Sequence, residues 1–166
     1  AHHHGRIFKL MGDGLLAEFA SVVDAVECAV ALQRGLAERN LSVPEDDRIN
    51  VRIGVNLGEV IVDGDDFYGE GVNIAARLEQ MAEPGSVYVS GKVAKEVEKK
   101  LSFDFEPLGS HRMKNIDEPV SVFRVKVQGT PKIRSRSRRR SPYAPWAAAA
   151  SVAVLAAAGG ASLYFD

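Results

Sequence analysis

Ile7-Phe8-Lys9-Leu10-Met11-Gly12-Asp13-Gly14-Leu15-Leu16-Ala17-Glu18-Phe19 reads as two short apolar strands joined by a tight turn. Glycine accepts positive φ and aspartate tolerates it, so Gly12-Asp13-Gly14 closes a hairpin. The turn lifts the Asp13 carboxylate to the hairpin tip. One strand carries a single lysine, Lys9, among apolar neighbours.

Working outward, Ser21 and Asp24 mark a helix start, one as N-cap and one in the first turn. Val22, Ala25, Val26, Ala29, Leu32 and Leu36 recur with helical spacing as far as Arg39-Asn40. Pro44 and Glu45-Asp46-Asp47 make a surface loop. Ile49, Val51, Ile53 and Val55 alternate with Asn50, Arg52, Gly54 and Asn56, which predicts a strand with one apolar face. Leu57-Gly58 should turn the chain, and Glu59-Val60-Ile61-Val62 should return as the second arm of another hairpin. A loop over 63–69 follows.

The spacing next predicts a helix over 71–82, stopped by Glu83-Pro84-Gly85. Val72, Ala75, Leu78 and Ala82 point one way. Asn73, Arg77 and Gln80 share another side, because residues four and seven apart stack on one face. Strands are expected over 86–90, 103–108 and 120–127, with a short charged helix over 92–100 and Lys114 in the last connection. The order implies an α+β fold, an α/β sandwich of helices on a mainly antiparallel sheet.

The 166 residues carry a net charge of -1, which hides an asymmetry. Six basic residues lie between Lys132 and Arg140, and Asp166 is the one acid after Pro131. The preceding body carries about -6, which makes it a poor nucleic-acid binder. The single cysteine, Cys28, excludes an internal disulfide framework and falls inside a helical pattern, where it reads as a small packing residue. His2-His3-His4 share no helix or strand face, which disfavours a metal site there.

Residues 129–145 read as a basic linker rich in Ser, Arg and Pro. Residues 146–165 carry no charge, and as a helix they would span roughly the ~30 Å hydrocarbon core of a bilayer. Trp146 and Tyr164 sit where interfacial aromatics belong, and the Arg-rich run places the preceding domain on the cytoplasmic side. The expected organisation is a domain over 1–128, a linker over 129–145 and a transmembrane helix over 146–165. That would be a single pass of the inner membrane, with the membrane itself a partner.

Three runs then resemble one family. They are Phe8-Lys9-Leu10-Met11-Gly12-Asp13-Gly14, Val51-Arg52-Ile53-Gly54-Val55-Asn56-Leu57-Gly58-Glu59-Val60, and Asp66-Phe67-Tyr68-Gly69-Glu70-Gly71-Val72-Asn73-Ile74-Ala75-Ala76-Arg77-Leu78-Glu79. Pro84-Gly85-Ser86-Val87-Tyr88-Val89-Ser90 and Met113-Lys114-Asn115-Ile116 extend the match. Together, over about residues 5–127, they resemble the class III nucleotidyl cyclase catalytic domain. The resemblance implies a ferredoxin-like, palm-type fold. It also implies conversion of ATP to 3′,5′-cyclic AMP and pyrophosphate, with two divalent cations, Mg²⁺ or Mn²⁺, held between two aspartates.

By this resemblance Asp13 is one of the two metal carboxylates. Lys9 and Asp66 fall on the adenine-reading positions, a donor and an acceptor that match adenine N1 and N6. Asn73 is expected to orient the ribose and Arg77 to meet charge on the α-phosphate. Lys114 matches a lysine that holds the terminal phosphates, and Arg52 an arginine that approaches the phosphates from the metal-bearing side. Asp13 and Arg52 act from one subunit and the others from its partner, so a homodimer or heterodimer is expected. The family's other metal aspartate lies on a strand upstream of the hairpin. The chain as given is therefore expected to be inactive alone and active within a longer parent. Guanylate cyclase activity, or a non-catalytic nucleotide-binding or regulatory module, are the alternatives.

Overall fold

The computed structural model describes residues 3–64, 66–127 and 151–156. Strands β1 (Gly5–Met11) and β2 (Gly14–Phe19) form the opening antiparallel hairpin. Helix α1 (Val22–Asn40) follows, with the Ser21 side chain accepting from the Asp24 amide as the cap pattern predicts. A single 3₁₀ turn over Glu45–Asp47 leads to β3 (Arg52–Leu57). Then come β4 (Ile61–Asp63), β5 (Asp66–Tyr68), α2 (Glu70–Met81), β6 (Val87–Ser90), α3 (Gly91–Val97), β7 (Asp104–His111), β8 (Val120–Lys126) and β9 (Ser151–Ala156).

Seven strands form one sheet in the order β1-β2-β9-β3-β6-β8-β7. Between strands of residues 5–126, β1–β2, β6–β8 and β7–β8 pair antiparallel and β3–β6 pairs parallel. The sheet is covered on both faces, which explains its burial pattern. On β6, Val87 and Val89 join the core beneath α1 and α3, while Tyr88 between them joins the core beneath α2. This is the period-2 alternation of a strand buried on both sides. The first core also takes Ile53 and Val55, and the second takes Ile74 and Leu78 with Met113, Ile116 and Val122. The α+β sandwich therefore stands as three layers, helix on sheet on helix. Cys28 packs at the margin of the first core, and burial pushes its thiol pKa up, as suits a packing residue.

Two expectations are corrected. The arm 59–62 does not return along β3. β4 turns at Gly64 and pairs with β5, so the expected loop over 63–69 contains half of a separate two-stranded ribbon. This frees β3 to pair with β6, a long-range contact that local turn chemistry cannot announce.

The second correction concerns the transmembrane helix over 146–165. Residues 151–156 inside it form strand β9, which lies parallel between β2 and β3 and is hydrogen-bonded to both. Among the described residues, no helix is long and apolar enough to cross a membrane. The physical reason is that parallel strands in mid-sheet are written as continuous apolar runs, and periodicity does not separate such a run from a helix. Ser151-Val152-Ala153-Val154-Leu155-Ala156 fits the strand, with branched residues at alternate positions. The inner-membrane placement rested on that helix and on the basic run before it. The linker 129–145 and the rest of 146–165 lie outside the described residues.

Candidate active site

The hairpin tip is built as the sequence requires. Met11 faces Gly14, leaving Gly12 and Asp13 as a two-residue loop. Gly12 has φ 60, the positive value that the first central position of a type II′ turn demands. Asp13 projects from this turn and is exposed. The pairing slips between Ile7 and Lys9, where two steps on β1 match one on β2. Such a bulge bends the strand and re-aims its side chains, here at exposed Lys9. Arg6 holds the far end of the hairpin through Glu18, Nε to Oε1 at 2.6 Å.

Asn73 and Arg77 lie one turn apart on α2, Asn73 exposed and Arg77 half-buried. The opposite side of the helix is anchored by Ile74, Ala75 and Leu78, all buried. Arg77 Nη1 donates to Gln80 Oε1 at 2.7 Å, joining two of the three polar residues whose shared face the spacing predicts. Lys114 sits in a tight turn in which the Ile116 amide donates to the Met113 carbonyl at 3.2 Å. Asn115 takes φ 64 there, a left-handed value that asparagine tolerates well. Met113 and Ile116 on either side are buried in the same core as Ile74 and Leu78. One apolar cluster thus positions both α2 and the Lys114 turn.

Asp66 opens β5, its backbone opposite Asp63 on the β4–β5 ribbon. Arg52 begins β3 and pairs with Glu79 of α2, Nε to Oε1 at 3.1 Å. The approach is off hydrogen-bonding alignment, and both atoms are out of contact with solvent.

The sequence reading overlooked how β3 meets α2. Asn50, Arg52, Gly54 and Asn56 alternate with the apolar residues here, which suggests a solvated side. Instead this side lies under α2. A Cβ at Gly54 would overlap the Ala75 carbonyl oxygen and the Glu79 amide nitrogen. Further along, Asn56 is buried and its Nδ2 donates to the Gly71 carbonyl at 3.0 Å. A Cβ on Gly58 would come within 3.0 Å of Gly71 Cα. Gly54 inside the strand and Gly58 just past it were the available signal, because a strand glycine marks close approach of another backbone.

The family resemblance implies a two-cation centre with Asp13 as one of two carboxylates. Among the described residues, no group of three or more His, Cys, Asp or Glu could hold a metal ion. β9 runs beside β2, with Ser151 opposite Gly14, and its six residues carry no carboxylate. The described donor set does not form a two-aspartate cradle.

Residues 5–127 match the family model described as the adenylate and guanylate cyclase catalytic domain. The chain belongs to this class III cyclase family. The "Putative adenylate cyclase 3" of Rhizobium meliloti (strain 1021) is 46% identical over 134 residues, covering 81% of this chain and 22% of that protein. The serine/threonine-protein kinase pkn2 of Myxococcus xanthus is 30% identical over 148 residues, covering 86% of this chain and 18% of that protein. The chain thus spans about a fifth of the length of these curated relatives. Among solved structures, the adenylate/guanylate cyclase/hydrolase of Silicibacter pomeroyi superposes with a TM-score of 0.71 at 37% identity, covering 74% of this chain and 73% of that one. The adenylyl cyclase CyaB of P. aeruginosa superposes with a TM-score of 0.56 at 19% identity, covering 74% and 72%, a likeness of fold.

Proposed function

We propose that this cyclase domain belongs to an adenylate cyclase that converts ATP to 3′,5′-cyclic AMP and pyrophosphate. The observation that supports this best is α2. It carries Asn73 and Arg77 on one outward side of a helix whose other side is packed, with the Lys114 turn seated on the same core. A rigid helix is the right support for groups that must meet charge developing in a transition state.

In this reading the ribose 3′-hydroxyl gives up its proton to solvent, its oxygen forms a bond to the α-phosphorus, and the bond to the bridging oxygen of the β-phosphate breaks. Asn73 holds the ribose so that the 3′-hydroxyl faces the phosphorus. The Arg77 guanidinium neutralises charge building on the α-phosphate. Lys114 holds the terminal phosphates that depart as pyrophosphate. Lys9 donates to adenine N1, and Asp66 accepts from N6. The family's divalent cations would lower the pKa of the attacking hydroxyl. Asp13 supplies one carboxylate toward them, and the described residues do not complete the set. The working unit is a dimer of cyclase domains, in which the Asp13 of one subunit faces the Arg77 and Lys114 of the other. The 166-residue chain alone binds nucleotide without turning it over.

The test is to assay the longer parent with ATP and with GTP, side by side, for each cyclic product. ATP is the expected substrate, and Lys9→Glu should reduce its use about tenfold or more. A parent that favours GTP would replace this reading with guanylate cyclase activity. Asp13→Asn should abolish turnover while leaving the melting temperature unchanged. Cyclic AMP produced by the purified 166-residue chain with Mn²⁺ would refute the statement that it is inactive alone.

A further inference from the structure

We infer that Glu79 is a positioning residue: with Arg52 it fixes the register of α2 along β3, and so places Asn73 and Arg77. The inference rests on the adenylate cyclase reading and deepens it. It gives Arg52 a different task from the phosphate contact that the family resemblance implies.

The contact between β3 and α2 is mostly smooth. Where Gly54 meets the helix backbone at Ala75 and Glu79, and Gly58 meets Gly71, no side chain interlocks. Backbone-on-backbone contacts of this kind bring the two elements close but resist sliding weakly. Two polar anchors lie at the ends of the track. Asn56 Nδ2 donates to the Gly71 carbonyl at the start of the helix. Arg52 Nε faces Glu79 Oε1 near its end. From Arg52 to Asn56 the strand rises roughly 13 Å, and from Gly71 to Glu79 the helix rises roughly 12 Å. The two lengths agree, so both anchors close together in a single register. A slip of one residue would move the helix by ~1.5 Å, far enough to spoil the aim of a catalytic side chain.

Among the described residues, Glu79 is the one acidic residue in the set of buried polar side chains. A carboxylate in a helix face that packs on a sheet loses hydration and calls for a specific partner. It lies two residues from Arg77 and six from Asn73 on the same rigid helix. Any rotation or slide that releases the pair therefore reaches both.

The test uses the 166-residue chain with Glu79→Gln, Arg52→Lys and the apolar double variant Arg52→Met with Glu79→Leu. Three quantities are measured: affinity for a fluorescent non-hydrolysable ATP analogue, melting temperature, and hydrogen exchange of the α2 amides. Glu79→Gln should lower the melting temperature by about 5 °C, because Arg52 loses its charged partner, and Arg52→Lys by less, because the ammonium keeps the charge but not the geometry of the guanidinium. The apolar double should recover most of that loss, since a packed apolar pair can replace a buried ion pair. All three variants should bind the analogue roughly fivefold more weakly and exchange α2 amides faster. Wild-type affinity in the apolar double would overturn the inference. So would Arg52→Lys weakening the analogue while Glu79→Gln leaves it unchanged or tighter, which would return Arg52 to the phosphates. If the unaltered chain binds no analogue, the nucleotide reading fails by itself. The register lock is then judged on α2 exchange, and unaltered protection in the apolar double and in Glu79→Gln would refute it.

Discussion

The β1–β2 hairpin and the β3–α2 track both carry residues assigned to one active site, yet they are built in opposite ways. The hairpin lies at the sheet margin, with Lys9 and Asp13 exposed and Ile7 and Leu10 open to solvent. Its hydrogen-bonded tie to the other described strands runs through β9 alone. The track is close-packed from end to end, with Gly54 under the helix backbone and Glu79 buried against Arg52. The difference teaches a division of labour. In the proposed reading, groups that would aim at developing charge stand on a helix held from beneath. The carboxylate proposed for metal stands on an open turn, where partners from outside the described residues can reach it.

The contrast can be broken by making the same change in both regions. Leu78→Ala, at a fully buried position on the inner face of α2, should cost about 4 kcal/mol in urea unfolding. Leu10→Ala, at a residue 75% exposed on β1, should stay within about 0.5 kcal/mol. Comparable losses at both would mean that the hairpin is buried in solution by a partner.

The two glycines come next. Gly54→Ala should cost about 3 kcal/mol, because the new methyl group meets backbone atoms that cannot rotate away. Gly12→Ala has open space around it and pays only for positive φ, about 1 kcal/mol. A reversed order would show that the track can open and the turn cannot.

The smallest effect lies away from both regions, on α3. Lys100 donates to Glu96, and this bond together with its charge holds the Glu96 carboxyl below its ordinary value of 4.5. A depressed folded-state pKa adds stability that is present above that ordinary value and lost as pH falls through the depressed one. The melting temperature of Lys100→Met should therefore differ from that of the unaltered chain slightly near neutral pH and converge with it below pH 4.5. Added salt should shrink the difference, since the pair is exposed.

Much of the local structure around the candidate site was legible because its signals are local. Gly12-Asp13-Gly14 specifies a turn by backbone freedom, and Asn73, Arg77 and Gln80 share a face by helical geometry alone. Ser21 capped its helix as expected. Other features depended on partners distant in sequence. Glu79 is one residue in a charged helical pattern until Arg52, 27 positions earlier, is brought against it. The polar side of β3 looks solvated until α2 covers it. The uncharged run over 146–165 reads as a membrane helix until β2 and β3 are seen to take residues 151–156 as a strand between them.

The sequence by itself determined the order of most elements, the hairpin with its carboxylate, and the family, because turns, caps and periodicities are encoded within a few residues. Tertiary structure alone decided that β4 pairs with β5, that β9 enters the sheet, and that Arg52 answers to Glu79. Strand partners and buried charge pairs are chosen by surfaces meeting across long loops, and their energies depend on desolvation that no local pattern records.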